Sequence, residues 1–226
     1  MEQLRHNGTT LAYEEAGRGT PHVVLLPDLG ADHTSLQAQL DHFRQRHRAV
    51  AVDLPGHRHS DRPEGHYSMA SVADDLAWLC YALGLYRPAL IGHGLGGLIA
   101  LEMASRYPDL PGGVVVVETG RPLALTPSPR RGGGTGSLRP AGPAQPSSPL
   151  LAGEGLGKRS LFPPVLYIAS DIPTVDLAQL QALCPHLSIA RVAGVGHSSL
   201  LEALDQLNAL IDSFLTKCVS AGIASL

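Results

Sequence analysis

Aromatic side chains are scarce in this chain. Phe, Trp and Tyr make up 4% of its 226 residues, too few for the stacked-base platforms on which proteins hold single-stranded nucleic acids. No excess of positive charge compensates: 17 Lys and Arg stand against 20 Asp and Glu, for a net charge of −3 and a pI near 6.4. Neither nucleic acid nor an anionic membrane surface is therefore expected as a partner. Cysteine is equally sparse. Cys80, Cys184 and Cys218 are odd in number and widely spaced, with no C-x-x-C pair, so they read as free thiols filling small core spaces in a reducing compartment. No apolar run reaches the roughly 18 residues of a membrane span. The opening Met1–His6 lacks the apolar segment of a secretory signal, and a cytoplasmic location is expected.

What is present is an ordinary globular composition, 44% apolar and 16% charged, in a length that suits one domain over residues 1–226. The apolar residues fall into short runs. Thr9–Glu15 alternates after the hairpin signal Asn7-Gly8 and is expected as an edge strand of an antiparallel start. His22–Leu26, Arg48–Asp53, Pro88–His93, Gly113–Glu118 and Pro164–Ile168 are continuous apolar runs of the kind buried on both faces of a sheet, and Leu187–Val192 is expected as the last strand. Between them lie helical periodicities: Leu36, Leu40 and Phe43; Val72, Leu76, Leu79 and Leu83, with Ser71 and Asp74 as a capping box and Gly84 as the stop; a helix after Gly94 that ends at Pro108; a short one around Asp176–Cys184; and one over Ser199–Phe214. Strands alternating with helices argue for a predominantly parallel sheet of seven or eight strands with helices on both faces.

The alternation fails once. From Gly120 to Gly157 there are seven Pro and nine Gly in 38 residues, a composition that buries too little apolar surface to offset the entropy of ordering. Residues 119–162 are accordingly expected as a Gly/Pro-rich flexible insert.

Three motifs carry the chemical information. Gly92-His93-Gly94-Leu95-Gly96 matches the pattern G-x-S-x-G except at its centre, where Gly94 stands in place of the serine. Asp53-Leu-Pro-Gly-His-Arg-His-Ser-Asp-Arg-Pro63 follows the second parallel strand, and Gly194-Val-Gly-His197 follows the last one. Together and in this order, they resemble the α/β-hydrolase superfamily over nearly all of the chain outside 119–162. The resemblance implies the α/β-hydrolase fold, with the cap region reduced to the flexible insert. It also implies that position 94 is the nucleophile position of a strand-turn-helix elbow, that Arg58 replaces a glycine of the second motif, and that His197 is the general base.

For the acid that orients His197, the resemblance leaves two positions, Glu118 and Asp171. A carboxylate ending a strand of four valines is the harder to explain by packing. The oxyanion donors implied are the backbone N–H groups of Leu29 and Leu95. Pro27-Asp28 stands where the family usually has His-Gly, and an Asp28 carboxylate there opposes a developing oxyanion. His93 completes the substrate-binding set. His57-x-His59-x-Asp61 superficially resembles a zinc motif, but position 62 is Arg rather than His, and hydrogen-bonded loop histidines are expected instead. No metal or cofactor is expected. The activity implied is hydrolysis of small uncharged esters, lactones or epoxides, weak or altered because Gly94 carries no hydroxyl, with a water activated by His197. The alternative is a non-catalytic pseudo-hydrolase that binds a small carbonyl-type molecule or a partner.

Overall fold

In the computed structural model, the residues described are 1–6, 8–62, 68–118, 163–169, 180–181, 184, 186–192 and 203–220. The insert expected at 119–162 and the sites expected at Asp171 and His197 lie outside them.

Eight strands form one sheet in the order β1-β2-β4-β3-β5-β6-β7-β8: β1 Glu2–His6, β2 Thr9–Ala16, β3 Val23–Leu26, β4 Ala49–Val52, β5 Ala89–His93, β6 Gly113–Val117, β7 Val165–Ala169 and β8 Leu187–Arg191. The strands from β3 onward pair in parallel, while β1 with β2 and β2 with β4 pair antiparallel. Thr9–Ala16 is thus not the edge expected of it. Glu2–His6 pairs outside it in a hairpin register that sets His6 opposite Thr9, and β2 is hydrogen-bonded on both sides. The remaining strands stand where the apolar runs put them, and β3, β4 and β6 are buried throughout.

The helices are α1 Gln37–Phe43, entered through a 3-10 turn at His33–Leu36, α2 Met69–Ala82, α3 Leu95–Arg106 and α4 Leu204–Ser220. They cover both faces of the sheet. Val23, Leu25, Ala49, Ala51, Ile91, Val115 and Val117 form one core with Leu36, Leu40 and Phe43 of the α1 region and with Leu207, Ile211 and Phe214 of α4. Val116, one residue out of phase, meets α3 instead, where it lies against Gly97. The capping box of α2 is Ser68 with Ser71, one turn earlier than Ser71 with Asp74, because the Ser68 side chain accepts from Ser71 N and the Ser71 hydroxyl accepts from Ser68 N. Helix α4 runs six residues past Phe214 to Ser220, carrying Cys218 into the core as a further apolar position. Of the helix expected at Asp176–Cys184, only Leu180, Gln181 and Cys184 are described.

All three cysteines are unpaired and buried. Burial pushes the Cys80 thiol up to about 12 and those of Cys184 and Cys218 up to about 11, so they pack as small apolar groups with little thiolate character.

Candidate functional site

A parallel sheet sends the residues that follow its strands to one edge, and the register decides which of them meet. Strand β5 lies between β3 and β6, with Leu26 opposite Gly92 and Val117 opposite His93. The residues just beyond these ends, Asp28, Gly94 and Glu118, are therefore neighbours although 90 positions separate the first from the last.

Gly94 makes the turn from β5 into α3 with φ 51° and ψ −115°, a conformation that strains any residue with a Cβ. Its N–H donates to Val117 O at 3.0 Å and Glu118 O at 2.8 Å, which ties the turn to the end of β6. The flanking glycines permit the tight crossing: a Cβ on Gly92 would overlap the backbone of Gly96, and one on Gly96 would overlap the Leu26 carbonyl.

A Cβ on Gly94 would overlap the carboxylate of Asp28. That carboxylate is fixed by two backbone donors: Leu29 N and Leu95 N each donate to Asp28 Oδ1 at 2.7 Å. The two N–H groups singled out in the sequence thus converge, and what they hold is the chain's own carboxylate. Oδ2 accepts no hydrogen bond among the described residues. Leu29 itself is 72% exposed, leaving an apolar side chain in solvent at the mouth of the site.

Glu118 is buried, has φ 39°, and neither of its carboxylate oxygens finds a hydrogen-bond partner among the described residues. A buried carboxylate in a left-handed backbone conformation combines two unfavourable features at one residue. His93 is half-buried between these groups. Its burial lowers its pKa below 6.5, against the opposing fields of Asp28 and Glu118, so near neutral pH the ring carries no charge and has one nitrogen able to accept a proton.

The loop after β4 is built as hydrogen-bonded scaffolding. His57 Nδ1 lies 3.1 Å from Pro55 O, and Nε2 accepts from Gly30 N at 3.0 Å, which assigns the neutral Nδ1–H tautomer. Asp61 accepts from Thr10 N at 2.8 Å. His59 turns the other way, to Asp53, so His57, His59 and Asp61 do not converge. Arg58, which stands at the glycine position of the motif, keeps a glycine-like φ of 34° and pairs with Asp32 at 2.6 Å.

What the sequence reading missed is His33. Its backbone N–H and ring Nδ1 lie 2.8 and 2.7 Å from the fully buried Asp53 Oδ1, and His59 Nδ1 lies 3.1 Å from Oδ2. Burial alone pushes the Asp53 carboxyl up, but the donors from His33 and His59 outweigh it and hold the group below its usual range. Ligand atoms of His33, Asp53 and His59 lie within 4.8 Å of one another. Both imidazoles already spend a ring nitrogen on the carboxylate, so the trio serves as a clamp between the loops after β3 and β4. An open cleft of about 400 Å³ adjoins it, lined by residues that include Leu29, Pro55, His57, Arg58 and Arg62.

A mostly parallel eight-stranded sheet covered on both faces, with a glycine-packed turn after its central strand and chemical groups gathered at the strand ends, defines the α/β-hydrolase fold. The chain has this fold, and residues 21–132 match a family described as alpha/beta hydrolase fold. It is 30% identical over 179 residues to an uncharacterised protein of Mycobacterium tuberculosis, covering 74% of this chain and 52% of the relative. It is 32% identical over 127 residues to mouse (Mus musculus) epoxide hydrolase 4, covering 55% of this chain and 35% of the relative. The chain thus spans about half or less of the length of these relatives. Among solved structures, a thermophilic esterase from Thermogutta terrifontis superposes with a TM-score of 0.72 at 21% identity, covering 96% of this chain and 99% of the esterase, a likeness of fold. No described helix is long and apolar enough to cross a membrane.

Proposed function

We propose that this chain is a small-molecule hydrolase that works without serine chemistry. Gly94 holds the nucleophile position of the superfamily, and water activated by His197 supplies the attacking oxygen, with Glu118 as the acid that orients the histidine. The substrates are small uncharged molecules of the ester, lactone or epoxide type, and the activity is weak or altered relative to a serine hydrolase, whose nucleophile is worth about 10⁶ in turnover. The observation that carries this reading is Glu118. A buried carboxylate with no partner among the described residues, held in a left-handed conformation beside the turn, is what an acid waiting on an imidazole requires. Asp171, the other acid the motifs allowed, lies outside the described residues. Three buried, unpaired thiols fit a reducing setting, and we place the protein in the cytoplasm.

The test is a panel of chromogenic esters, lactones and epoxides with wild type and His197→Ala, alongside a fluorophosphonate probe. Wild type should turn over at least one class without fluorophosphonate labelling, and His197→Ala should lose about 10²-fold or more. Turnover unchanged by that substitution removes the reading.

A second reading, a non-catalytic pseudo-hydrolase that binds small carbonyl-type ligands or a partner, has one observation in its favour. The two N–H groups that would receive a ligand's oxygen already hold Asp28. Binding of panel compounds without turnover would select it.

A further inference from the structure

We propose that Asp28 is the nucleophile of this site. The inference rests on the hydrolytic reading above and deepens it, because it names what the activated water attacks and narrows the substrate to an epoxide.

Three observations converge on one carboxylate. The first is position: a Cβ at Gly94 would overlap Asp28, so the group at the mouth of the turn, where a side chain on α3's first turn would begin, comes instead from the loop after β3. Gly94 is what gives it room. The second is orientation. Oδ1 takes both backbone donors at 2.7 Å, whereas Oδ2 has no donor among the described residues and belongs to a partly exposed side chain. Hydrogen bonding tempers the nucleophilicity of Oδ1 and fixes the plane of the group, leaving the lone pairs of Oδ2 for attack. The third is the fate of Oδ1 once Oδ2 has reacted. It becomes the carbonyl oxygen of an ester, already polarised by Leu29 N and Leu95 N, and those donors then stand where the oxyanion forms when water adds to Cγ.

Atoms and electrons balance with water as the only co-reactant. An electron pair on Oδ2 forms a bond to a ring carbon of the epoxide as the strained C–O bond breaks. The released alkoxide takes a proton from solvent. Water, losing its proton to the base, adds to Cγ of the ester, and collapse of the tetrahedral adduct expels the diol through the Cγ–Oδ2 bond. Asp28 is regenerated carrying the water's oxygen. Attack of the same carboxylate on an ester would give an anhydride, uphill from the reactants, so the geometry favours a strained saturated carbon over a carbonyl carbon. It also changes the meaning of the negative charge next to the two N–H groups, which serves as the attacking group rather than as an obstacle to an oxyanion.

The experiment is a single turnover of styrene oxide with excess protein in H₂¹⁸O, followed by mass spectrometry of the diol and of the peptide containing Asp28. The expected result is ¹⁸O in Asp28 and an unlabelled diol, with Asp28→Asn losing about 10³-fold or more of the turnover. Circular dichroism and thermal melting of Asp28→Asn confirm that its loss of turnover is not loss of the fold. Turnover with ¹⁸O in the diol and none in Asp28 overturns this assignment and leaves the hydrolase reading standing. In a companion arm, protein is held with excess styrene oxide and quenched in acid. Alkylation of Asp28 without release of diol supports the nucleophile and removes the hydrolytic reading. No turnover and no alkylation of Asp28 above that of the exposed Asp41 overturns both.

Discussion

The Asp28 carboxylate lies in the space into which a side chain on Gly94 would project, and it is held there by the N–H groups of Leu29 and Leu95 at 2.7 Å each. Two residues 66 positions apart are thus alternatives for one volume. Only one of them can carry a side chain there.

That exclusion governs any attempt to install a serine. Gly94→Ser alone should fold poorly, because the hydroxymethyl group must displace a hydrogen-bonded carboxylate and also adopt a φ near 51°, a conformation that costs about 1 kcal/mol or more for a non-glycine residue. Gly94→Ser combined with Asp28→Gly should recover most of the lost stability and gain fluorophosphonate labelling that neither parent shows. Thermal melts and probe labelling of the four proteins in this cycle check it. Equal stability of the single and double variants would mean that Asp28 yields freely.

Glu118→Gln should separate stability from activity. The amide is isosteric with a carboxyl that meets no hydrogen-bond partner among the described residues, so stability should stay within about 1 kcal/mol of wild type, or roughly 2–4 °C in Tm for a domain of this size. If Glu118 orients His197, kcat falls by about tenfold or more in the same variant while KM changes little. Rescue by Glu118→Asp is not expected, because the shorter arm withdraws the carboxylate.

Acid should destabilise the fold before the carboxylates titrate. Burial lowers the pKa values of His22, His47 and His93 below their ordinary 6.5, and His22 Nδ1 accepts from Tyr86 N at 3.1 Å, a bond its protonated form cannot make. As the pH falls through 6.5, the unfolded chain takes up these protons first. Stability is therefore fully present above about pH 7.5 and declines below 6.5 towards the folded-state values. Asp75, raised by burial from 3.8, works in the opposite sense, from pH 3.8 upward. Urea midpoints across pH 5–8 measure the slope, and His22→Gln should flatten it.

Asp53→Ala should be among the most damaging substitutions outside the central strands. The carboxylate is fully buried and lies within hydrogen-bonding distance of two backbone and two ring nitrogens of His33 and His59. Removing it strands those donors at a cost of about 3 kcal/mol or more. Asp61→Ala, which loses one exposed contact with Thr10 N, should cost less than about 1 kcal/mol. Chemical denaturation of the pair checks the contrast.

The sheet was legible because its causes are local. Runs such as Gly113–Val117 are apolar at every position and suit strands with both faces covered, and the glycines at 92, 94 and 96 announce a tight crossing whatever surrounds them. Leu36, Leu40 and Phe43 declared the buried stripe of α1 by spacing alone. Pairing partners were another matter. Glu2–His6 has too little apolar character to be noticed, and it became a strand because β2 offered it a free edge across Asn7-Gly8.

The site divides along the same line. Sequence alone determined that Gly94 has no hydroxyl, that an acid ends β6, and that an aspartate follows β3, since composition at a motif position needs no coordinates. It did not determine that the Asp28 carboxylate fills the volume above Gly94, that it occupies both N–H groups expected for an oxyanion, or that His33 closes on Asp53. Those relations depend on the register of three strands and on the directions of loops whose residues lie 20 to 90 positions apart. Because a side chain's role is set by the donors and the space around it, tertiary structure alone decided what Asp28 faces.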